Sequence, residues 1–151
     1  MEKKLKESSK LNINKITLKN ISQKDYRFLY NLLKERNPVV YISHRKMPKY
    51  KEHVNFVKSK PYSKWHIIFQ NNKKIGSIYL SKQNEIGLFL KKNVQGEGIG
   101  YTALKILIKN NPRSRYLANV APKNIRSIKF FKKNKFILIQ HTYELNISFG
   151  K

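Results

Sequence analysis

The chain has 151 residues, with 33 Lys and Arg against 8 Asp and Glu and a formal net charge of +25. Its length suits one domain of roughly 100–200 residues, and a 40% hydrophobic, 12% aromatic composition supplies enough apolar side chain for a core, which excludes a purely disordered basic tail. The absence of Cys excludes disulfides, thiolate zinc sites, iron–sulfur clusters and a cysteine nucleophile.

No apolar run reaches the ~18 residues that span a bilayer, and the start Met1-Glu2-Lys3-Lys4 lacks a secretory core, so a soluble cytoplasmic protein is expected. The charge admits non-specific contact with nucleic acid through a basic surface. Only 6 of the 33 cations are Arg, however, and Lys (27), Asn (16) and Ile (17) together dominate the composition, so a solvated lysine-rich surface explains the same charge. A local cluster at Lys129, Lys132, Lys133 and Lys135 could equally serve a phosphorylated small molecule.

Residues 1–12 read as a basic flexible tail and 13–151 as a single domain. Alternation over 13–18 predicts a strand, and Ser22 with Asp25 forms a capping-box signal for a helix whose apolar face is Phe28, Leu29, Leu32 and Leu33. That helix should stop before Asn37-Pro38, because the residue preceding proline avoids the α region. A loop over 39–48 carries Tyr41, His44 and Arg45, and a short helix over 49–58 places His53 and Phe56 on neighbouring positions of one turn. Period-two segments at 65–70, 75–81 and 85–91, joined by short polar connections, predict an antiparallel meander. A glycine-rich loop at 93–100 then leads into a helix buried through Ala103, Leu104, Leu107 and Ile108. A strand at 116–120, a helix capped by Asn124 and carrying Ile125, Ile128 and Phe131, and terminal strand-like sequence over 136–147 complete the order.

Gln95-Gly96-Glu97-Gly98-Ile99-Gly100 lies between a strand and a helix, where glycines let backbone N–H groups converge on an anion at the positive helix end. A strand-to-helix turn also needs glycines, so the loop by itself leaves both readings open. Tyr101-Thr102 after Gly100 excludes a nucleotide P-loop, which requires Lys-Ser or Lys-Thr there. Gly98-x-Gly100-x-x-Ala103 matches a dinucleotide fingerprint, but no acidic residue follows about 20 positions on and antiparallel hairpins precede it.

Gln95, Gly98 and Gly100 together resemble the Gln/Arg-x-x-Gly-x-Gly/Ala cofactor loop of the GNAT superfamily of acyl-CoA-dependent N-acetyltransferases. Asn124-Ile125-Arg126-Ser127 followed by Phe130-Phe131 and Lys135-Phe136 resembles that family's second motif, and the likeness extends over residues 13–147. It implies an α/β (α+β) fold: a mixed, mostly antiparallel sheet with helices on both faces, splayed between its fourth strand (85–91) and its fifth (116–120), with acetyl-CoA entering the gap. It also implies cofactor contacts from Gly96, Ile99 and Tyr101 in the loop, from the backbone at Leu88 and Leu90, and from Asn124 and Phe131. Two departures stand out: Lys135 occupies the place of a usual glycine, and Phe131 replaces a tyrosine that often protonates the leaving thiolate.

By the same resemblance Glu85, at the opening of the strand before the cofactor loop, stands where many members carry a base; a solvated Glu at a hairpin end is the alternative. His44, His53, His66 and His141 are further candidate bases, and no His pair at i, i+4 has a carboxylate companion, so no metal site is expected. The acceptor is expected against Tyr41, His44, Arg45, His53 and Tyr143, with Trp65 nearby. His53-x-x-Phe56, Pro61-Tyr62-Ser63-Lys64-Trp65 and Ile75-Gly76-Ser77-Ile78-Tyr79 are similar to the pattern of members that acetylate amino-sugar nucleotides, so the resemblance implies a small, anionic amine acceptor. A ribosomal-protein type N-terminal acetyltransferase and a non-enzymatic basic RNA- or ribosome-binding module are the alternatives.

Overall fold

The computed structural model describes residues 15–36, 46–94 and 96–147. Its frame is a four-stranded antiparallel sheet in the order β1 (Ile16–Asn20), β2 (Lys64–Gln70), β3 (Lys73–Leu80) and β4 (Ile86–Leu90). The β2–β3 hairpin is turned by Asn71 and Asn72, both at positive φ (49° and 66°), the conformation that short asparagine side chains tolerate and that matches strand twist. Ser81 organises the β3–β4 connection by accepting from the N–H groups of Gln83 and Glu85 through its Oγ.

Strand alternation sorts the side chains into two layers. On one face Ile68, Ile78, Leu80 and Ile86 pack against Ala103, Leu104 and Leu107 of α3 (Ile99–Asn110). On the other, Ile67 joins Leu29 of α1 (Tyr26–Lys34) and Val57 of α2 (Tyr50–Lys58), with Trp65 and Phe69 alongside. Ile67, Ile68 and Ile78 are fully buried, and each such side chain contributes about 1.5–3 kcal/mol of burial free energy. The Ser22/Asp25 capping box forms as expected, Asp25 accepting from the Ser22 N–H at 2.8 Å. Lys74 Nζ lies 2.7 Å from Asp25 and ties this helix start to β3.

The expected fifth strand is reduced to one parallel bridge between Glu85 and Leu117. Ile86 N–H donates to the Leu117 carbonyl at 2.7 Å and Leu117 N–H to that of Asn84 at 2.8 Å, and past this point β4 has no further ladder on that side among the described residues. The sheet therefore splays where the resemblance implied, hinged at Glu85.

The terminal segment corrects a second expectation. After α4 (Ile125–Lys133), residues 137–147 form no ladder among the described residues, and Ile137, Leu138, Ile139, Leu145 and Ile147 are exposed. Alternating apolar residues define a strand only when an edge is available to take their backbone groups, and the nearest edge has already diverged. The turn before it is well formed: Phe136 N–H donates to the Phe131 carbonyl and Lys135 N–H to that of Lys132, while the Phe131 and Phe136 rings meet at 5.1 Å. These are the two bonds and the apolar contact of a Schellman motif, whose αL position is filled by Lys135 at φ 71°. The departure from glycine at this position thus falls where the backbone favours glycine.

Candidate active site

Gly98 is the N-cap of α3, at φ 75° and ψ 5°, and Gly96 sits at φ 89°. A Cβ on Gly98 would meet nothing within 4 Å, so its backbone conformation, not crowding, requires glycine, and the space before the helix end is open. Gly100 has the opposite reason: a Cβ there would lie 3.1 Å from Phe130 and 3.2 Å from Leu88, so its smallness lets α3, α4 and β4 close together. The N–H groups of Ile99, Gly100 and Tyr101 belong to the first helical turn and have no intrahelical acceptor. Among the described residues no protein group accepts from them. These amides, with the helix dipole, can donate hydrogen bonds to an anion. The Arg126 guanidinium comes within 3.5 Å of the Cβ position on Gly96, adding a cation beside the loop. Gln95 lies outside the described residues, while Glu97 is exposed and Tyr101 is 53% exposed.

Beside this loop, β4 presents its outer edge. Ile86 N–H points across to Leu117, and N–H direction alternates along a strand, so the N–H groups of Leu88 and Leu90 point the same way, into the splayed gap. Asn124 caps α4 by accepting from Ser127 N–H at 3.2 Å and also lines the gap, where its Nδ2 can still donate. The open amides, the Leu88 edge and Asn124 fit the arm and phosphates of acetyl-CoA.

A cavity of about 750 Å³ opens from the gap over the α1–α2 face of the sheet, and an adjoining one of about 210 Å³ shares Arg36, Leu88, Phe89, Asn124 and Ser127 with it. Glu85, Gly87 and Phe89 share this face. Glu85 lines the cavity, and its Oε2 accepts from Asn119 Nδ2 at 2.7 Å, a bond that spans the hinge of the splay. His53 is buried on α2 and contributes to the same wall, its ring 5.5 Å from that of Tyr30. Phe131 closes the cavity from α4 and carries no hydroxyl.

Other candidates stand elsewhere. Tyr143 is 91% exposed in the terminal segment and His141 accompanies it, so neither lines the cavity. His66 alternates onto the α3 face, where burial, then the neighbouring Lys64 charge, holds its pKa below the usual histidine range. Tyr41, His44 and Arg45 lie outside the described residues.

The larger surprise is the aromatic wall. Tyr62 and Tyr79 stack face to face at 3.7 Å and 2°, Trp65 meets Tyr62 edge-on at 4.8 Å, and Phe56 stands 6.0 Å from Tyr62. Trp65 Nε1 donates to Ser77 Oγ at 2.8 Å, fixing the indole. Burial pushes the phenols of Tyr62 and Tyr79 above the ordinary tyrosine range. Arg36 lies 4.2 Å over the Phe89 ring where the two cavities meet, and Lys46 and Lys49 add positive charge at the rim. Strand alternation could have indicated Ser77 and Tyr79; their meeting with Tyr62 and Arg36 is a tertiary outcome.

The sequence matches the profile of the acetyltransferase (GNAT) domain over residues 15–137. The chain belongs to the GNAT acetyltransferase family. As a GNAT enzyme it uses acetyl-CoA and acetylates an amine. Similar solved structures include a domain from Methanocaldococcus jannaschii DSM 2661, 26% identical, covering 87% of this chain and 94% of that one with a TM-score of 0.75. An acetyltransferase from Thermus thermophilus is 17% identical, covering 85% and 90%, with a TM-score of 0.71. The ribosomal L7/L12 α-N-protein acetyltransferase RimL, solved with coenzyme A, is 19% identical, covering 83% and 81%, with a TM-score of 0.65. No curated protein sequence gives a significant match to this GNAT chain. Among the described residues no helix is long and apolar enough to cross a membrane.

Proposed function

We propose that this GNAT enzyme transfers the acetyl group to the primary amine of a small anionic acceptor, an amino-sugar nucleotide or a molecule of the same chemistry, by direct attack within a ternary complex. The observation that carries the reading is the joining of two unlike spaces: a cradle of open amides at the α3 terminus leads through the β4 gap into a cavity walled by aromatic rings and rimmed by Arg36, Lys46 and Lys49. Flat aromatic surfaces suit a sugar or a base, and the cations suit phosphate or carboxylate groups.

Bound acetyl-CoA supplies an activated acyl group; the chain's residues do the rest. Ile99, Gly100 and Tyr101 amides hold the phosphates, with Gly96 and Gly98 shaping the approach, and Asn124, Leu90 and Phe131 border the arm. Leu88 N–H, facing the gap, would give an oxyanion-type contact to a carbonyl oxygen that gains charge during attack. Glu85 takes the proton lost by the amine, directly or through one water, and Asn119 holds its carboxylate in place. His53 contributes to the acceptor wall.

The test is thiol release from acetyl-CoA with a panel of amino-sugar nucleotides, N-terminal peptides and polyamines. Turnover dependent on the sugar nucleotides supports the proposal. Turnover confined to peptides replaces it with protein N-terminal acetylation, as named for RimL.

A further inference from the structure

Most of the large apolar side chains that stand exposed among the described residues belong to one segment, the arm that follows α4. Ile137, Leu138, Ile139, Tyr143, Leu145 and Ile147 are each 60–91% exposed. Apart from Leu138 they fall, with His141, on alternate positions, and the polar Gln140, Thr142, Glu144 and Asn146 take the places between. The His141 and Tyr143 rings lie 6.4 Å apart, the distance that two residues span in an extended chain. The arm has the side-chain order of a half-buried strand, yet its apolar face lies in water.

The arm is also bare of positive charge. Residues 137–147 hold no Lys or Arg, in a chain that has 33 of them. Exposed strand edges are ordinarily guarded by charge, lysine above all, so an unguarded apolar stretch in so lysine-rich a chain points to a covered surface. The same chain holds a second unguarded edge. Leu117 turns its N–H and carbonyl toward β4, so Tyr116 and Ala118 present theirs on the opposite side. Among the described residues no protein group accepts from the N–H of Ala118 or Val120, and residues 116–121 carry no charged side chain. Arm and edge are complementary, but the arm, led off through the turn at Lys135, forms no ladder with the edge of its own chain.

We propose that the arm of one copy pairs as a strand on the 116–121 edge of a second copy, and the second copy's arm on the first, giving a closed two-fold dimer by strand exchange. A second copy is the partner that the sequence itself supplies, because both halves of the contact are present in every chain. The area also suffices: the exposed apolar side chains of one arm offer on the order of 800 Å², the share that each partner gives to a stable interface. The pairing would brace the segment whose Asn119 bonds Glu85 and whose Val120 and Ala121 line the cavity, so each site borrows support from the other copy. Each copy carries +25, which opposes association, so the dimer should tighten as salt rises.

Analytical ultracentrifugation of the full chain over a concentration series, at low and high salt, should give a dimer that is tighter at high salt. Leu145→Asp/Ile147→Asp should raise the dimer Kd by at least ~100-fold, since each change removes an apolar side chain from both contacts. Both side chains are exposed in the single copy, so circular dichroism and acetyl-CoA Kd should stay as in wild type. Exchange itself is read by placing a benzophenone amino acid at Leu138 in an equal mixture of unlabelled and heavy-isotope protein, unfolded and refolded together. Photo-crosslinks from the arm to residues 116–121 should then join chains of unlike isotope. A monomer at every concentration, higher open assemblies, links confined to single chains, or a dimer linked arm to arm would each overturn the proposal and leave the acetyl-transfer reading untouched.

Discussion

Gly98 offers a test in which backbone strain and ligand grip separate. At φ 75° any L-residue with a Cβ is strained by about 1–2 kcal/mol, and in a chain of this size each kcal/mol moves Tm by about 2–4 °C. Gly98→Ala should therefore melt about 2–8 °C below wild type. Its Cβ would meet nothing within 4 Å, so it leaves the amides accessible. Acetyl-CoA at 100 times its Kd stabilises the folded state by about 2.7 kcal/mol, a rise in Tm of about 5–11 °C, and Gly98→Ala should keep that rise within a few degrees. Gly98→Glu carries the same strain but places a carboxylate beside the Ile99 and Gly100 amides. One like-charge pair about 6 Å apart at an effective dielectric of ~20 costs about 3 kcal/mol, which lowers affinity ~100-fold and shrinks the rise to about 1–2 °C. Differential scanning fluorimetry of the three proteins, with and without acetyl-CoA, reads both quantities. If Gly98→Glu retains the full ligand-induced rise, the α3 terminus does not hold the phosphates.

Other outcomes follow from the same coordinates. Lys135→Gly should raise Tm by about 2–4 °C, because glycine relieves about 1 kcal/mol of αL strain at the Schellman position; calorimetry showing no rise would count against that strain. Glu85→Gln keeps an oxygen for Asn119 but loses the proposed base, so kcat should fall by ~10²–10⁴ while calorimetric acetyl-CoA affinity stays within two-fold; unchanged turnover would move the proton to water or His53. Burial alone would raise the Asp25 carboxyl, yet the Lys74 hydrogen bond and charge and the Ser22 N–H and hydroxyl hold it below the usual range. A depressed carboxyl stabilises the fold fully above its unfolded value near 4 and loses that contribution as pH falls through the folded value. Urea melts of Asp25→Asn should thus show a smaller stability loss between about pH 5 and pH 2 than wild type.

Much of this site was legible because its signals are local. Gly98 and Asn124 act through their own φ, ψ and neighbouring amides, and both take the cap positions that their residue types suggest. The Asn71-Asn72 turn and the Ser22/Asp25 box obey the same short-range chemistry. Glu85 was placed beside the gap by family resemblance; that it faces the cavity depended on register, which the β3–β4 pairing decides.

What the sequence could not supply is contact between distant segments. Arg36 reaches Phe89, and Tyr62 finds Tyr79, only after β2, β3 and β4 align with a register shift between Ile68 and Phe69. Alternation over 136–147 promised a strand, and Tyr143 an acceptor contact, yet a strand is a property of two segments and its would-be partner turns away after Leu117. Backbone preferences, caps and glycine positions reside in a few consecutive residues and were written in the chain itself. The cavity is lined by side chains far apart in sequence, and only packing of the sheet against α1, α2 and α4 brought them together.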